Sequence, residues 1–262
     1  MVRQVNSWVE KETSGLIKKI LSPESIDDET RLVLANALYF KGAWKTKFDE
    51  SRTKDYNFHL RSGSSVKVPF MTSKKSQFIR VCDGFKVLGL PYEQGEDKRR
   101  FSMYFFLPDS NDGLSALVEK MGSETRFLER HLPRNQVEVG DFLIPKFKIS
   151  YDVETSYVFK KLGVTLPFTV EAELTEMIKL MDEEKLYVSG IFHKAFIEVK
   201  EEGTEAAAAT VTVIFRKCSR SSIRPLPSTI DFVADHPFLF VVREDNTGTF
   251  LFIGQVLNPL AK

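Results

Sequence analysis

The chain has 262 residues, of which 42% are hydrophobic, 12% aromatic and 28% charged; 37 Lys and Arg against 36 Asp and Glu leave a formal charge of +1. That length and apolar fraction support a substantial core and exclude disordered and collagen-like chains. The even charge balance gives no reason to expect nucleic acid or a membrane surface as partner. The two cysteines, Cys82 and Cys218, make neither a disulfide framework nor a CxxC metal site.

From the start of the chain, Met1-Val2-Arg3-Gln4-Val5-Asn6-Ser7 shows no apolar h-region. No run of 18 apolar residues and no Asn-x-Ser/Thr sequon follows. The expected location is cytoplasmic, or extracellular without a recognisable signal peptide. Val5, Trp8, Val9, Leu16, Ile17 and Ile20 recur at helical spacing, and Ser22-Pro23 closes that helix. Arg31 to Phe40 is apolar at nearly every position and reads as a strand buried on both faces. Tyr56, Phe58 and Leu60 alternate with Val66, Val68 and Phe70 around Ser62-Gly63-Ser64, a hairpin pattern.

Phe78 to Val81 and Phe85 to Leu90 flank the turn signal Asp83-Gly84, and a strand over Phe101 to Leu107 ends at Pro108-Asp109. Leu114, Leu117, Val118 and Met121 mark one helix, and Thr125 to Leu132 a second. Val137 to Ser150 is strand-like, with Pro145 implying an edge or a bulge. Asp152 is placed to cap a helix running to Gly163. Leu186 to Lys200 alternates, and Phe238 to Arg243 with Thr249 to Val256 forms a hairpin around Asn246-Thr247-Gly248. Strands dominate and helices are inserted singly, so the class is α+β with mainly antiparallel sheet. The length allows one large domain or two small ones.

Enzyme signatures are absent: there is no GxSxG, HExxH, GxxxxGK[ST] or GxGxxG. His59, His131, His193 and His236 stand apart from one another and from other metal ligands, as surface or hydrogen-bonded structural imidazoles do. The triplet Lys98-Arg99-Arg100 reads as a solvated turn. No enzyme activity, metal or cofactor is expected.

One segment stands out. Gly203 to Ile230 has no hydrophobic periodicity and is far longer than an ordinary connection. Its first part is small and then β-branched: Gly-Thr-Glu-Ala-Ala-Ala-Ala-Thr-Val-Thr-Val-Ile-Phe over residues 203–215. Small residues enter a gap between strands without displacing neighbours, and Thr and Val favour the pleat once there. As a strand, Thr204, Ala206, Ala208, Thr210 and Thr212 would share one face and Glu205 would point the other way. Residues 216–230 are basic, with Arg216, Lys217, Arg220 and Arg224, and read as an exposed tip open to proteolysis. A flexible Ala-rich linker is the bland alternative for the first part.

Glu201-Glu202-Gly203-Thr204-Glu205-Ala206-Ala207-Ala208-Ala209-Thr210 resembles the loop hinge of inhibitory serpins. Leu34 to Trp44 resembles that family's central strand with the tryptophan at its top, and Phe232 to Phe240 with Phe252 to Val256 resembles its C-terminal signature. The wording is closest to plant serpins. The resemblance implies the serpin fold in a single domain over residues 1–262, with mixed, mainly antiparallel sheets, flanking helices and an exposed reactive-centre loop over about 203–227. It gives structural roles to Asn36, Trp44 and His193. It also matches Val5 to Val9 to a helix well inside the family's domain, which implies an N-terminally incomplete member.

The implied function is suicide-substrate inhibition. A protease attacks the loop, forms an acyl-enzyme, and is carried along as the cut loop inserts into the main sheet as a new strand; serpin loop insertion is a named example of this kind of transition. Counting from Gly203 puts the bond at Lys217-Cys218, with Arg216 and Arg220 as alternatives, so the targets are trypsin-like serine proteases, with cysteine proteases a second class. The 14 residues from Thr204 to Lys217 would span roughly 46 Å as a strand. The alternative function is a non-inhibitory remnant, a protease substrate or interaction protein, because the family's first helices and strands have no counterpart. The protein is expected to be a monomer, with no nucleic-acid or membrane partner.

Overall fold

The computed structural model describes residues 1–172, 174, 186–204 and 229–261. In chain order the described elements begin with α1 (Val2–Glu12), β1 (Leu32–Tyr39), β2 (Gly42–Ala43), β3 (Lys54–His59), β4 (Ser65–Met71), β5 (Gln77–Cys82), β6 (Phe85–Pro91) and β7 (Phe101–Pro108). Then come α2 (Leu114–Ser123), α3 (Phe127–His131), β8 (Gln136–Val137), β9 (Val139–Pro145), β10 (Phe147–Glu154) and α4 (Ser156–Lys161). The last are β11 (Val188–Lys200), β12 (Gly203–Thr204), β13 (Ile230–Val233), β14 (Phe238–Glu244) and β15 (Phe250–Val256). They group into two compact units, Met1–Phe40 with Ile149–Ile197, and Lys41–Lys148 with Glu198–Ala261.

In the first unit β1 runs parallel to β11, from Leu32 opposite Val188 to Tyr39 opposite Phe196, and β10 also pairs with β11. Val9, Ile17, Ile20, Leu21 and Phe196 form its apolar cluster, with Val33, Ala35, Ala37 and Tyr39 of β1 packed on them. Two expectations change here. The helix expected to reach Ile20 stops at Glu12, because Ser14 and Gly15 turn left-handed (φ 52° and 83°) and the Gly15 amide donates to the Glu10 carbonyl at 2.7 Å. Ile17 and Ile20 reach the core from an extended segment instead, held by Asn6: its Oδ1 accepts from the Ile20 and Leu21 amides, and its Nδ2 donates to the Leu21 carbonyl. Trp8 stays on the outer side of α1, 55% exposed. Second, β1 is not buried on both faces: on the face away from the cluster Leu34 and Asn36 are exposed, and Leu32 and Leu38 are half-buried.

The cap expected of Asp152 is also absent. Asp152 lies in β10 and pairs with Lys194 at 2.8 Å, while α4 starts after Thr155. The helix does end near Gly163, whose φ is 89°. Glu154 holds its start instead, accepting from the Ser156 amide at 2.9 Å.

The second unit contains a six-stranded sheet in the order β15-β14-β7-β6-β5-β8 and a four-stranded sheet in the order β13-β9-β4-β3. β7 and β14 are buried on both faces because each face has its own cover. Phe85, Val87, Tyr104, Phe106, Leu239 and Val241 pack beneath α2 and α3 with Leu114, Leu117 and Phe127. On the opposite face Phe105, Phe147 and Phe58 surround the Phe238 ring at centroid distances of 5.6, 5.9 and 6.5 Å. The three hairpins expected from Gly63, Gly84 and Gly248 are present, each glycine at positive φ. Pro145, expected at an edge or a bulge, is instead the last residue of β9, which splits the expected 137–150 strand. A proline cannot donate to the ladder, and a strand end is where that costs least. His236 is a buried structural imidazole, its Nδ1 2.8 Å from Asp235 Oδ1 and its Nε2 2.8 Å from the Pro108 carbonyl.

Candidate functional site

The proximal end of the loop is built onto the second unit. β11 ends at Lys200, Glu201 and Glu202 turn the chain, and β12 returns antiparallel with Thr204 opposite Val199 and Gly203 opposite Lys200. The free edge of β12 pairs in turn with β2, Gly203 opposite Ala43 and Thr204 opposite Gly42. Two residues are thus held on both sides. Gly203 has φ 150°, and a Cβ there would run into the Gly42 carbonyl and the Ala43 Cα, so the backbone approach requires glycine.

The turn is fastened by a buried carboxylate. Glu201 is 3% exposed, and it accepts from Thr53 Oγ1 at 2.7 Å and from Lys146 Nζ at 2.8 to 3.0 Å. Desolvation would raise its pKa, but the hydrogen bonds from Lys146 and Thr53, backbone donation and the lysine charge outweigh that and hold it below the usual carboxylate range. Its carbonyl accepts from the Phe48 amide.

Trp44 grips the same turn. Its indole Nε1 donates to the Lys200 carbonyl at 2.8 Å and its backbone amide to the Glu202 carbonyl at 2.9 Å. Its ring stacks on Tyr92 at a centroid distance of 4.5 Å and 17° between planes. The Tyr92 hydroxyl in turn lies 2.6 Å from Oγ1 of the fully buried Thr204. Burial pushes the Tyr92 phenol up, far from any range where it would ionise.

Of the residues singled out in the sequence, Trp44, Glu202, Gly203 and Thr204 therefore come together. Asn36 and His193 stand in the first unit, opposite each other in the β1–β11 register. Glu205, Ala206, Ala207, Ala208, Ala209 and Thr210, and the bond residues Arg216, Lys217, Cys218 and Arg220, lie outside the described residues. Tyr92, Thr53 and Lys146 were not foreseen, since each is an ordinary strand or connection residue in sequence. Glu201 stands in the hinge motif, but its burial has no local signature. The arrangement offers hydrogen-bond anchoring of a chain reversal.

Residues 1–259 match the family model for serpins, described as serine protease inhibitors. The chain belongs to the serpin family. It is 59% identical over 257 residues to Serpin-ZXA of Oryza sativa subsp. japonica, covering 98% of this chain and 63% of that one. It is 57% identical over 264 residues to Serpin-ZX of Arabidopsis thaliana, covering 99% and 66%. The serpin fold is shown by the structure of Arabidopsis AtSerpin1 in its native stressed conformation, at TM-score 0.85 and 54% identity over 99% of this chain and 65% of that one. This serpin chain thus spans a little under two thirds of the length of the relatives it matches.

Proposed function

We propose that this serpin chain carries the bait loop of a protease inhibitor directed at trypsin-like serine proteases, cut after Lys217. The observation that carries the reading is the hairpin at Gly203 and Thr204. β12 leaves the turn already running antiparallel to β11, with Thr204 buried. Continuing that register would bring Phe215 opposite Val188, where β11 begins, and Lys217 opposite Leu186. A cut after Lys217 therefore frees a segment whose length suits the whole of β11.

The insertion slot is closed in this structure, because β1 and β11 pair directly along all eight residues of β1. Insertion would exchange that one parallel ladder for two antiparallel ones, a change in the favourable direction for sheet pairing. The small residues 206–209 would pass between the strands with little side-chain displacement. Arg216 and Arg220 are the alternative bait positions, and cysteine proteases the second target class. The plant serpins at 57–59% identity support an inhibitor and not an enzyme.

The test is incubation with trypsin, a denaturing gel, and sequencing of the released C-terminal fragment. The reading expects an SDS-stable complex and a fragment beginning at Cys218. A fragment beginning at Ser221 or later, with none at Cys218 or Lys217, overturns the bait assignment. Cleavage with no stable complex overturns inhibition by the chain.

A further inference from the structure

We propose that Tyr92 is a positioning residue for the loop: its hydroxyl holds Thr204 in the sheet so that insertion starts from a residue already in place. The proposal rests on the reading of the loop as an inserting strand. Thr204 is the first loop residue whose side chain enters the interior, and its Oγ1 meets the Tyr92 hydroxyl at 2.6 Å with both residues buried. Tyr92 is itself fixed. Its amide donates to the Phe101 carbonyl, its backbone bridges to Trp44, and its ring lies against the Trp44 indole. Trp44 holds the chain before the reversal, at Lys200 and Glu202, and Tyr92 holds it after, at Thr204.

The physical consequence follows from nucleation. The first residue of an added strand loses its freedom before any neighbour rewards it, and later residues add onto an existing ladder. With Thr204 held, that first step is complete before the protease arrives. If the hydroxyl is lost, the Thr204 Oγ1 is left buried without its partner, and the open form of β12 gains population. The net worth of one such hydrogen bond corresponds to roughly a fivefold change in that equilibrium. Slower insertion leaves more time for the acyl-enzyme to hydrolyse, so more inhibitor is cut as substrate for each protease trapped.

The experiment is a double-mutant cycle of Tyr92→Phe and Thr204→Val, both of which keep shape and remove the hydroxyl. Amide hydrogen exchange over Gly203–Thr204 is measured in the 262-residue chain, with β14 as internal reference. Each single variant should exchange roughly five times faster over Gly203–Thr204, with β14 unchanged and the double no faster than the singles. The second readout is the number of chains consumed per trypsin inactivated, which should rise in both singles and not further in the double. Unchanged exchange in the singles, additive effects in the double, or an equal rise in β14 would each overturn the proposal. If the parent chain traps no trypsin, the inhibitor reading fails, and the exchange cycle still decides the role of Tyr92.

Discussion

At the residue scale, the loop anchor depends on two positions whose side chains, or lack of one, admit no ordinary substitute. Gly203→Ala would put a methyl group into the Gly42 carbonyl at a φ of 150° that L-residues rarely adopt. The substitution should cost about 2 kcal/mol or expel β12 from between its neighbours. Thermal unfolding, together with increased protease cleavage close to residue 203, checks this. Glu201 acts through charge. Its folded pKa lies below the ordinary value near 4.5, so its contribution is complete above that value and disappears as pH falls through the lowered pKa. Glu201→Gln should therefore destabilise by about 2 kcal/mol at pH 7, with the difference from the parent shrinking as the pH is lowered. Urea titrations at pH 7 and pH 3 measure this, and a difference undiminished at pH 3 would refute the assignment.

At the scale of elements, the segment after α1 shows how one polar side chain replaces a helical turn. Asn6 makes three hydrogen bonds to Ile20 and Leu21, which keep Ile17 and Ile20 against the cluster in the absence of helix. Asn6→Ala is expected to cost about 2 kcal/mol and to open this segment first, with trypsin cutting at Lys18 or Lys19 many-fold faster than in the parent. The hinge makes a sharper demand. Thr204→Arg should leave cleavage of the loop intact and abolish trapping, because a guanidinium would enter a position that is fully buried. Titration of trypsin with the variant separates the two effects, and unaltered trapping would exclude insertion at this face.

At the scale of the whole molecule, the two units are built to different standards. The second has central strands, β7 and β14, buried on both faces, whereas among the described residues the first rests on the cluster around Val9, Ile17 and Phe196 and leaves Leu34, Tyr157, Leu162 and Leu166 exposed. Equilibrium unfolding should therefore show two transitions, the first unit melting earlier. The two tryptophans report on them separately: Trp8 is exposed in the first unit, and Trp44 is 2% exposed in the second. Emission from Trp44 in a Trp8→Phe variant should change only in the later transition. A single coincident transition by fluorescence and circular dichroism would contradict this.

Local rules were sufficient for much of the fold. Glycines between alternating strands placed the hairpins at Gly63, Gly84 and Gly248, because a tight reversal needs a positive φ wherever it occurs. At the hinge, Gly203 and Thr204 do lie in a strand, whereas the small and β-branched run after them, which the sequence offers as a strand or as an Ala-rich linker, lies outside the described residues. Where local rules failed, distant partners decided. Helical spacing after Glu12 was satisfied by an extended segment tied to Asn6, and the apolar run of β1 specified burial without specifying what would cover it. Tyr92, Lys146 and Thr53 carried no signal, because a hydroxyl or an ammonium acquires its role only when the fold brings it within 3 Å of Thr204 or Glu201. Sequence alone thus determined the turns and the alternation of the strands. Tertiary structure decided where the chain is anchored at Gly203 and Thr204, because burial and hydrogen-bond partnership depend on residues as far apart as Trp44 and Lys200, 156 positions in sequence.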